Sequence, residues 1–142
     1  MTATYEKHGL KFLYPENWKL ADGQDIELPY QVEIEAPSGA IWSVNVFPSD
    51  ADTDELLADA VRGLQETYED VEIDEASSDF PGFESQGIEA YFYCLDFMVM
   101  ARIRVIETKR YKLVFLFQAE SRDFEGYHDV FRAISTSLLQ SI

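Results

Sequence analysis

The chain has 142 residues, of which 46% are hydrophobic and 14% aromatic, and its 27 acidic residues against 11 basic ones give a net charge of −16. A chain of this length and apolar content can bury a packed core, so we predict one folded domain over residues 1–142. The charge opposes general affinity for nucleic acid and for anionic lipid, because both need clustered Lys and Arg to neutralise phosphate.

The sequence contains no segment typical of a signal peptide or a membrane span. Its longest apolar stretch, residues 90–103, is interrupted by Asp96 and Arg102 and is shorter than the roughly 20 residues that a bilayer requires. We therefore expect a cytoplasmic protein that does not insert into membranes.

Cys94 is the only cysteine, so no disulfide can form within the chain, and its apolar neighbours predict a small core residue.

The stretch from Phe12 to Trp18, FLYPENW, predicts the end of a strand. A β-prone run over residues 10–14 stops at Pro15, which cannot donate a hydrogen bond to a neighbouring strand. We expect this run to be the first strand of an antiparallel sheet, with Trp18 packing back across its apolar face. Alternation then predicts strands over 30–36 and 41–47, joined by a hairpin turn at 37–39.

The pattern changes to helical spacing after Asp52. Apolar residues between Leu56 and Tyr68 predict a first helix of about four turns. Asp52 is suited to cap that helix, since Glu55 follows three residues later as in a capping box. Residues 71–76 return to the alternation of a strand.

The most β-prone part of the chain runs from Gly87 to Glu120. We divide it into strands over 87–95, 98–107 and 111–119, although one long bent strand is the alternative at the weak break near Leu95. These strands are apolar on both faces, so their sheet needs cover on both sides. A final helix over 123–141 supplies cover through apolar residues at helical spacing: Phe124, Tyr127, Phe131, Ile134 and Leu138.

The predicted element order indicates an α+β protein. Three or four strands, a helix, four strands and a second helix should form an antiparallel sheet of six to seven strands between helices. Three residues of the opening stretch fit an F-x-x-P-x-x-W pattern: Phe12, Pro15 and Trp18. The last two strands fit a hairpin with Arg on its first arm, here Arg102 or Arg104, and with Tyr opening its second, here Tyr111.

This order and these positions resemble the PsbP/Mog1-like superfamily, an α-β-α sandwich. Its members include an extrinsic subunit of the oxygen-evolving complex, a Ran-binding nuclear transport factor, small bacterial proteins of unassigned role, and chaperones for apolar helices of type VI secretion effectors. They share binding without catalysis. The resemblance therefore implies an uncharacterised, non-enzymatic, bacterial-type binding protein, and it transfers no site residue to this chain.

One face of the late strands is the candidate binding surface. Arg102 and Arg104 share that face, and either Asp96 or Glu89 on the neighbouring strand could pair with them. The arginines are then either an internal ion pair or part of a polar cleft that binds a ligand or a protein segment. The predicted surface consists of Tyr91, Tyr93, Asp96, Arg102, Arg104 and Tyr111.

The acidic residues suggest two further hypotheses. Residues 50–54, DADTD, open like a calcium-binding EF-hand loop, but the Gly and the Glu that such a loop needs are Glu55 and Val61 here. We therefore predict no metal site, and weak binding of a divalent cation or a small ligand is the alternative function. The twelve acids between Asp50 and Asp79 are either a solvated surface or a docking surface for a basic protein segment.

The sequence has no motif for nucleophilic catalysis, nucleotide binding or a cofactor, so we predict a protein that is not an enzyme and needs no cofactor. The expected partner is a protein segment, basic or apolar in character, held on the sheet face or at the edge of the late hairpin. If the chain forms a homodimer, we expect it to do so through an exposed strand edge.

Overall fold

A computed structural model of the chain describes residues 1–23, 27–76 and 80–142. This described part contains nine strands and two helices. Their order is β1 (Thr2–Lys7), β2 (Leu10–Pro15), β3 (Lys19–Asp22), β4 (Tyr30–Glu35), β5 (Ile41–Pro48), α1 (Thr53–Thr67), β6 (Glu72–Ala76), β7 (Ser85–Cys94), β8 (Phe97–Glu107), β9 (Tyr111–Glu120) and α2 (Phe124–Gln140).

The strands form two antiparallel sheets. β1 and β2 make a separate hairpin, and the other strands make a seven-stranded sheet in the order β3-β4-β5-β9-β8-β7-β6. All pairs in both sheets are antiparallel. The prediction of an α+β protein with an antiparallel sheet of six to seven strands between helices is confirmed.

Each face of the large sheet packs against its own helix, because side chains on a strand alternate between faces. On one face, Leu64 of α1 packs with Phe92, Ile103 and other residues of β7, β8 and β9. On the other face, α2 and the β1–β2 hairpin enclose a larger core around Trp42 and Phe115. The two-sided burial predicted for residues 87–120 is thus present.

Aromatic rings dominate the core beneath α2. Trp42 has no exposed surface, and its ring centre lies 5.0 Å from that of Phe12 on β2. Its Nε1 donates to Ser135 Oγ of α2 at 2.9 Å. Phe131 stacks on Phe117 of β9, with ring centres 5.4 Å apart. These contacts fix α2 and the small hairpin to the same face of the sheet.

The ends of the helices agree with the sequence patterns that predict them. Asp52 caps α1, since its Oδ1 accepts from the Glu55 backbone N–H at 3.0 Å. Helix α2 begins one residue after Asp123 and ends at Gln140, close to the predicted bounds. Within the described ranges, neither helix has the length and apolar character needed to cross a membrane.

The prediction that FLYPENW closes the first strand is wrong, because β1 precedes it and pairs with it outside the large sheet. Of the six residues of β1 only Tyr5 is buried, so no apolar alternation marks this strand. β3 was also not predicted, and none of its four residues is fully buried. Trp18 is buried, as expected, and its ring packs edge-on against Phe131 of α2.

The weak break near Leu95 is a true turn between β7 and β8, so the alternative of one long bent strand is wrong. Cys94 lies at the end of β7, next to this turn, and is half-buried. The prediction of a small core residue is therefore also wrong, because Cys94 lies at the end of the hairpin beside the exposed residues Leu95 and Phe97. Asp79, the last acid of the predicted acidic run, lies outside the described residues.

Candidate functional site

A cleft lies between the N-terminal half of α2 and strands β7 and β8. Its volume is about 680 Å³. The residues that form its floor and walls include Glu89, Tyr91, Met100, Arg102, Phe124 and His128. Two residues of the predicted surface, Tyr91 and Arg102, thus line the same cleft.

The register of the β7–β8 hairpin decides which side chains meet there. A turn at Leu95 and Asp96, with φ angles of 51° and 72°, joins the strands and places Glu89 opposite Arg102. Positive φ at both central residues is the geometry of the two-residue turns that hairpins favour. The cross-strand pair in the cleft is therefore a direct consequence of where the turn lies.

Arg102 connects the floor of the cleft to its wall. Its Nε donates to Glu89 Oε1 at 2.9 Å, and its Nη2 lies 2.8 Å from the same oxygen. The guanidinium carbon lies 5.1 Å from the centre of the Phe124 ring in α2, within the range of a cation–π contact. Because Glu89 already satisfies the charge of Arg102, an anionic ligand would have to compete with this carboxylate.

His128 completes the connection between α2 and β8. Its Nδ1 lies 2.9 Å from Nη1 of Arg102, 26 residues away in sequence. A guanidinium has donors only, so Nδ1 is the acceptor in this hydrogen bond. The sequence did not predict a role for His128, since nothing in its spacing from Arg102 indicates that the two residues meet.

Arg104 lies beneath the cleft and is only 2% exposed. Its Nη1 donates to the carbonyl oxygens of Ile88 and Ile103 at 3.2 and 3.0 Å, and its Nη2 lies 3.7 Å from Glu89 Oε1. Of the two acids that the sequence offered as partners, the structure places Glu89 beside both arginines. Arg104 supports the floor and has almost no surface with which to touch a ligand.

Gly87 makes room for Arg104. The two residues pair across the hairpin, and a Cβ atom at Gly87 would lie 2.6 Å from Arg104 Cδ and clash with the carbonyl oxygen of Ile103. Any larger residue would therefore displace the arginine. No sequence pattern marks Gly87 for this role, because the role depends on the residue that the register places opposite it.

Tyr91 forms the outer part of the floor. Its hydroxyl donates to Glu89 Oε2 at 3.4 Å, a weak hydrogen bond. Burial raises the pKa of Tyr91 above its ordinary value, and the negative charges of Glu89 and Asp74 raise it further, while Arg102 acts in the opposite direction. The phenol consequently stays protonated at neutral pH and offers an uncharged hydroxyl and a ring to a bound molecule.

The remaining residues of the predicted surface lie outside the cleft. Tyr93 continues the face of Tyr91 along β7 and is 65% exposed, whereas Asp96 lies in the hairpin turn. Tyr111 pairs with Pro48, at the end of the strands far from that turn. Its hydroxyl accepts from Arg110 Nη2 at 3.4 Å. The structure therefore separates Tyr111 from the other predicted residues.

Carboxylates surround the cleft. Glu125 and Asp129 of α2 line one side, and Glu72 and Asp74 of β6 lie on the same sheet face as Tyr91 and Glu89. We call these four carboxylates the rim of the cleft. All four are exposed, and no ion pair among the described residues involves them. With the floor arginines bonded to Glu89, the rim favours a cationic or neutral molecule over an anion.

The donor atoms in the described part of the chain do not form a metal site. No group of three or more His, Cys, Asp or Glu side chains in residues 1–23, 27–76 and 80–142 is arranged to hold an ion. Asp52, in the DADTD stretch, is used as the helix cap of α1. The chemistry that the cleft offers is hydrogen bonding, ring contact and attraction of positive charge.

Comparison with known proteins identifies the fold. No family model matches the sequence, and no curated protein matches it either. Among solved structures, the chain is similar to the cyanobacterial PsbP (CyanoP) of Synechocystis sp. PCC 6803, with a TM-score of 0.61 and 16% identity over 96% of this chain and 90% of that one. It is also similar to PA94 of Pseudomonas aeruginosa, a protein of unknown function, with a TM-score of 0.55 and 12% identity over 96% and 95% of the two chains.

A third structure, LpqN of Mycobacterium tuberculosis, matches 96% of this chain and 88% of its own length at a TM-score of 0.49 and 12% identity. The likeness to CyanoP shows that the chain has a PsbP-like fold, and this confirms the fold predicted from its element order. At these identities the likeness concerns the fold alone.

Proposed function

We propose that this protein with a PsbP/Mog1-like fold is a non-enzymatic binding protein that recognises a segment of another protein. The recognition face comprises the cleft and the adjoining tip of the β7–β8 hairpin. We define the hairpin tip as residues 93–98, Tyr93 to Met98.

The exposure of the hairpin tip is the observation that carries this proposal. Six large hydrophobic residues are exposed in the described part of the chain, and three of them belong to the tip: Tyr93 at 65%, Leu95 at 87% and Phe97 at 52%. Single exposed apolar residues are common on protein surfaces, but several large ones gathered at the end of one hairpin are typical of interaction sites. Tyr93 lies on the cleft face of that hairpin and Phe97 on the opposite face. These side chains would be buried when a partner binds.

The side chains between the tip and the cleft suit a protein partner as well. Strand alternation and register place Met98 beside Tyr93, and Met100 beside Tyr91, on the face that leads into the cleft. Tyrosine and methionine are enriched in the cores of protein interfaces, where rings and flexible thioethers adapt to another surface. The face therefore offers an adaptable apolar strip that ends at an acidic rim.

The bonds within the floor favour binding over catalysis. Arg102 is held by Glu89 and His128, and Arg104 is buried. Groups that bond each other in this way form a fixed wall, whereas a general acid or base needs a free position beside the reacting atom. The acidic rim adds a preference for a segment that carries Lys or Arg next to apolar side chains.

Selection from a displayed library of 12-residue peptides would test this function. We expect enriched peptides to combine basic and apolar residues and to bind about tenfold or more weakly to the variant Tyr93→Ser/Leu95→Ser/Phe97→Ser, as measured by fluorescence anisotropy, since truncated interface anchors cost at least about 1 kcal/mol each.

The control variant Leu13→Ser/Leu20→Ser removes two other exposed apolar residues and should leave peptide affinity unchanged. Circular dichroism would establish that both variants are folded. Failure to enrich any peptide, or equal losses in the tip variant and the control, would reject the proposed recognition face.

A second candidate function is the binding of a neutral or cationic small molecule in the cleft. The volume of about 680 Å³ lies within the roughly 300–1,000 Å³ of small-molecule sites. Such a ligand would raise the melting temperature of the wild type and of the tip variant alike, because it would contact Tyr91 and Phe124 and not the hairpin tip. Screening both proteins by thermal shift separates this function from the first.

A further inference from the structure

We propose that the partner segment binds as an additional β-strand along the outer edge of β6, and that it presents basic residues to the rim of the cleft. This inference rests on the proposed function, in which the partner is a protein segment. It adds the conformation of the segment, its position and the sequence pattern that it needs.

The edge of β6 has the geometry for strand addition. β6 is the last strand of the sheet and pairs with β7 alone among the described strands. In an edge strand, about half of the backbone N–H and C=O groups point away from the sheet and can pair with an added strand. Glu72, Asp74 and Glu75 are exposed and Ile73 and Ala76 half-buried, so the strand itself is accessible from the side.

The two faces of β6 differ in chemistry. Glu72 and Asp74 lie on the cleft face, opposite Tyr91 and Glu89 of β7. Ile73 lies on the other face and packs against the apolar cluster beneath α1. Because neighbouring strands present aligned side chains, an added strand should carry basic residues beside Glu72 and Asp74 and an apolar residue between them. The predicted pattern is Lys or Arg, apolar, Lys or Arg.

The charge of β6 favours a basic segment over a second copy of this chain. Three of its five residues are acidic, and pairing two copies edge to edge would bring like charges into register, which is destabilising. The opposite edge of the sheet, β3, carries one basic and one acidic residue, Lys19 and Asp22. The preference for a basic strand thus belongs to the β6 edge.

The position of β6 also joins this edge to the recognition face. A strand added there would continue the sheet surface that carries Tyr91 and Glu89. Its basic side chains would project on the same side as Glu125 and Asp129 of α2, across the cleft. The two rows of carboxylates would then act together on one segment and increase its association rate.

A synthetic nine-residue peptide tests the proposal. Its sequence alternates Thr and Val around a central Lys-Val-Lys, and a fluorophore reports binding by anisotropy. We expect the variant Glu72→Lys/Asp74→Lys to bind it about tenfold or more weakly, because two opposite-charge pairs become like-charge pairs. The same variant should recover affinity for the charge-reversed peptide with Glu-Val-Glu at its centre.

A matched control changes the charge equally at the other end of the sheet. Glu16→Lys/Glu27→Lys replaces two exposed acids in the connections before and after β3 and should reduce binding less than twofold. If this control weakens binding as much as Glu72→Lys/Asp74→Lys, net charge and not the β6 edge controls the affinity, and the proposal is overturned.

Backbone pairing is tested separately. Methylating the alternate peptide nitrogens that face β6 removes their donors and should weaken binding about three- to tenfold per bond, whereas methylating the other nitrogens should not. Hydrogen exchange of residues 72–76 should slow when the peptide binds.

Three other results would decide whether the segment binds at the β6 edge. A peptide that does not bind, or that binds without protecting 72–76, overturns the added strand. If the peptides selected from the library still bind more weakly to the tip variant Tyr93→Ser/Leu95→Ser/Phe97→Ser, the proposed function survives with a differently placed segment. Dimers of the wild type that dissociate in Glu72→Lys/Asp74→Lys would show that a second copy occupies the edge, which also overturns the proposal.

Discussion

The face of the sheet beneath α2 is aromatic at one end and ionic at the other. At the β5–β9 end, Trp42, Phe115 and Phe117 pack against α2 and the small hairpin. At the β7–β8 end, Arg102, paired with Glu89, lies beneath the same helix. The first end is closed by α2 and the small hairpin, whereas the second opens into the cleft.

The two ends differ in how much they are expected to stabilise the fold. Burial of large rings provides most of the folding free energy, since apolar area removed from water stabilises by about 25 cal/mol per Å². A buried ion pair adds little net stability, because its attraction is offset by desolvation of both charges. The ionic end is therefore expected to contribute less to stability than the aromatic end, which agrees with the recognition role proposed for its surface.

The largest expected effect is at the aromatic end. Trp42→Ala should lower the free energy of unfolding by about 3–5 kcal/mol, since it leaves a cavity where a fully buried indole packed. Trp42→Phe keeps most of the ring and loses the hydrogen bond to Ser135, so it should cost about 1–2 kcal/mol. Urea denaturation measures both, and a smaller loss for Trp42→Ala than for any change at the ionic end would contradict the comparison.

An intermediate effect is expected at the ionic end. Glu89→Ala should cost about 2–3 kcal/mol, because two largely buried arginines lose their shared carboxylate. The triple variant Glu89→Leu/Arg102→Met/Arg104→Met should cost less than half as much, since it removes the charges together.

A control for these variants is Asp59→Ala, which breaks the exposed pair with Arg62 and should cost less than about 0.5 kcal/mol. Urea denaturation at pH 7 measures the free energy of unfolding of all three variants. If the triple variant is as unstable as Glu89→Ala, the ion pair is a requirement of the fold and the contrast between the two ends does not hold.

The smallest expected effect is on the pH dependence of stability, and it involves one tyrosine from each end. Burial, aided by a hydrogen bond to Asp22, raises the pKa of Tyr5 in β1 above its ordinary value of 10.0, and burial likewise raises the pKa of Tyr91. A raised pKa in the folded state means that the neutral phenol stabilises the fold fully below pH 10, and that this contribution is lost as pH rises through the folded pKa.

Denaturation at pH 9 and pH 11 measures this loss. We expect the difference in unfolding free energy between the two pH values to shrink in Tyr5→Phe and, by a smaller amount, in Tyr91→Phe, because neither variant can ionise at that position. Absorbance at 295 nm follows the phenolate directly. A variant whose pH dependence equals that of the wild type would show that its tyrosine does not titrate differently in the folded state.

The sequence predicted those parts of the fold that local patterns control. Asp52 before a helical run predicted the cap of α1, and two-sided apolar strands after Gly87 predicted cover on both faces. β1 and β3 escaped prediction because their residues are mostly exposed, so hydrophobic alternation could not mark them. Strands of this kind are specified by pairing with a neighbouring strand, and a local sequence pattern does not show that pairing.

The candidate site was predicted less completely because it depends on register and on contacts distant in sequence. Once the turn is placed at Leu95–Asp96, Glu89 must oppose Arg102. Without that turn the sequence could not choose between Glu89 and Asp96. His128 reaches Arg102 only after α2 has packed on the sheet, and no local pattern contains that information.

Helix α2 touches both ends through its own residues, His128 at the cleft and Phe131 on the ring of Phe117. These contacts hold α2 on the strands, and the same helix forms one wall of the cleft. The aromatic core therefore positions that wall from inside the protein. We expect substitutions at Phe117 or Phe131 to move that wall without altering any residue that lines the cleft.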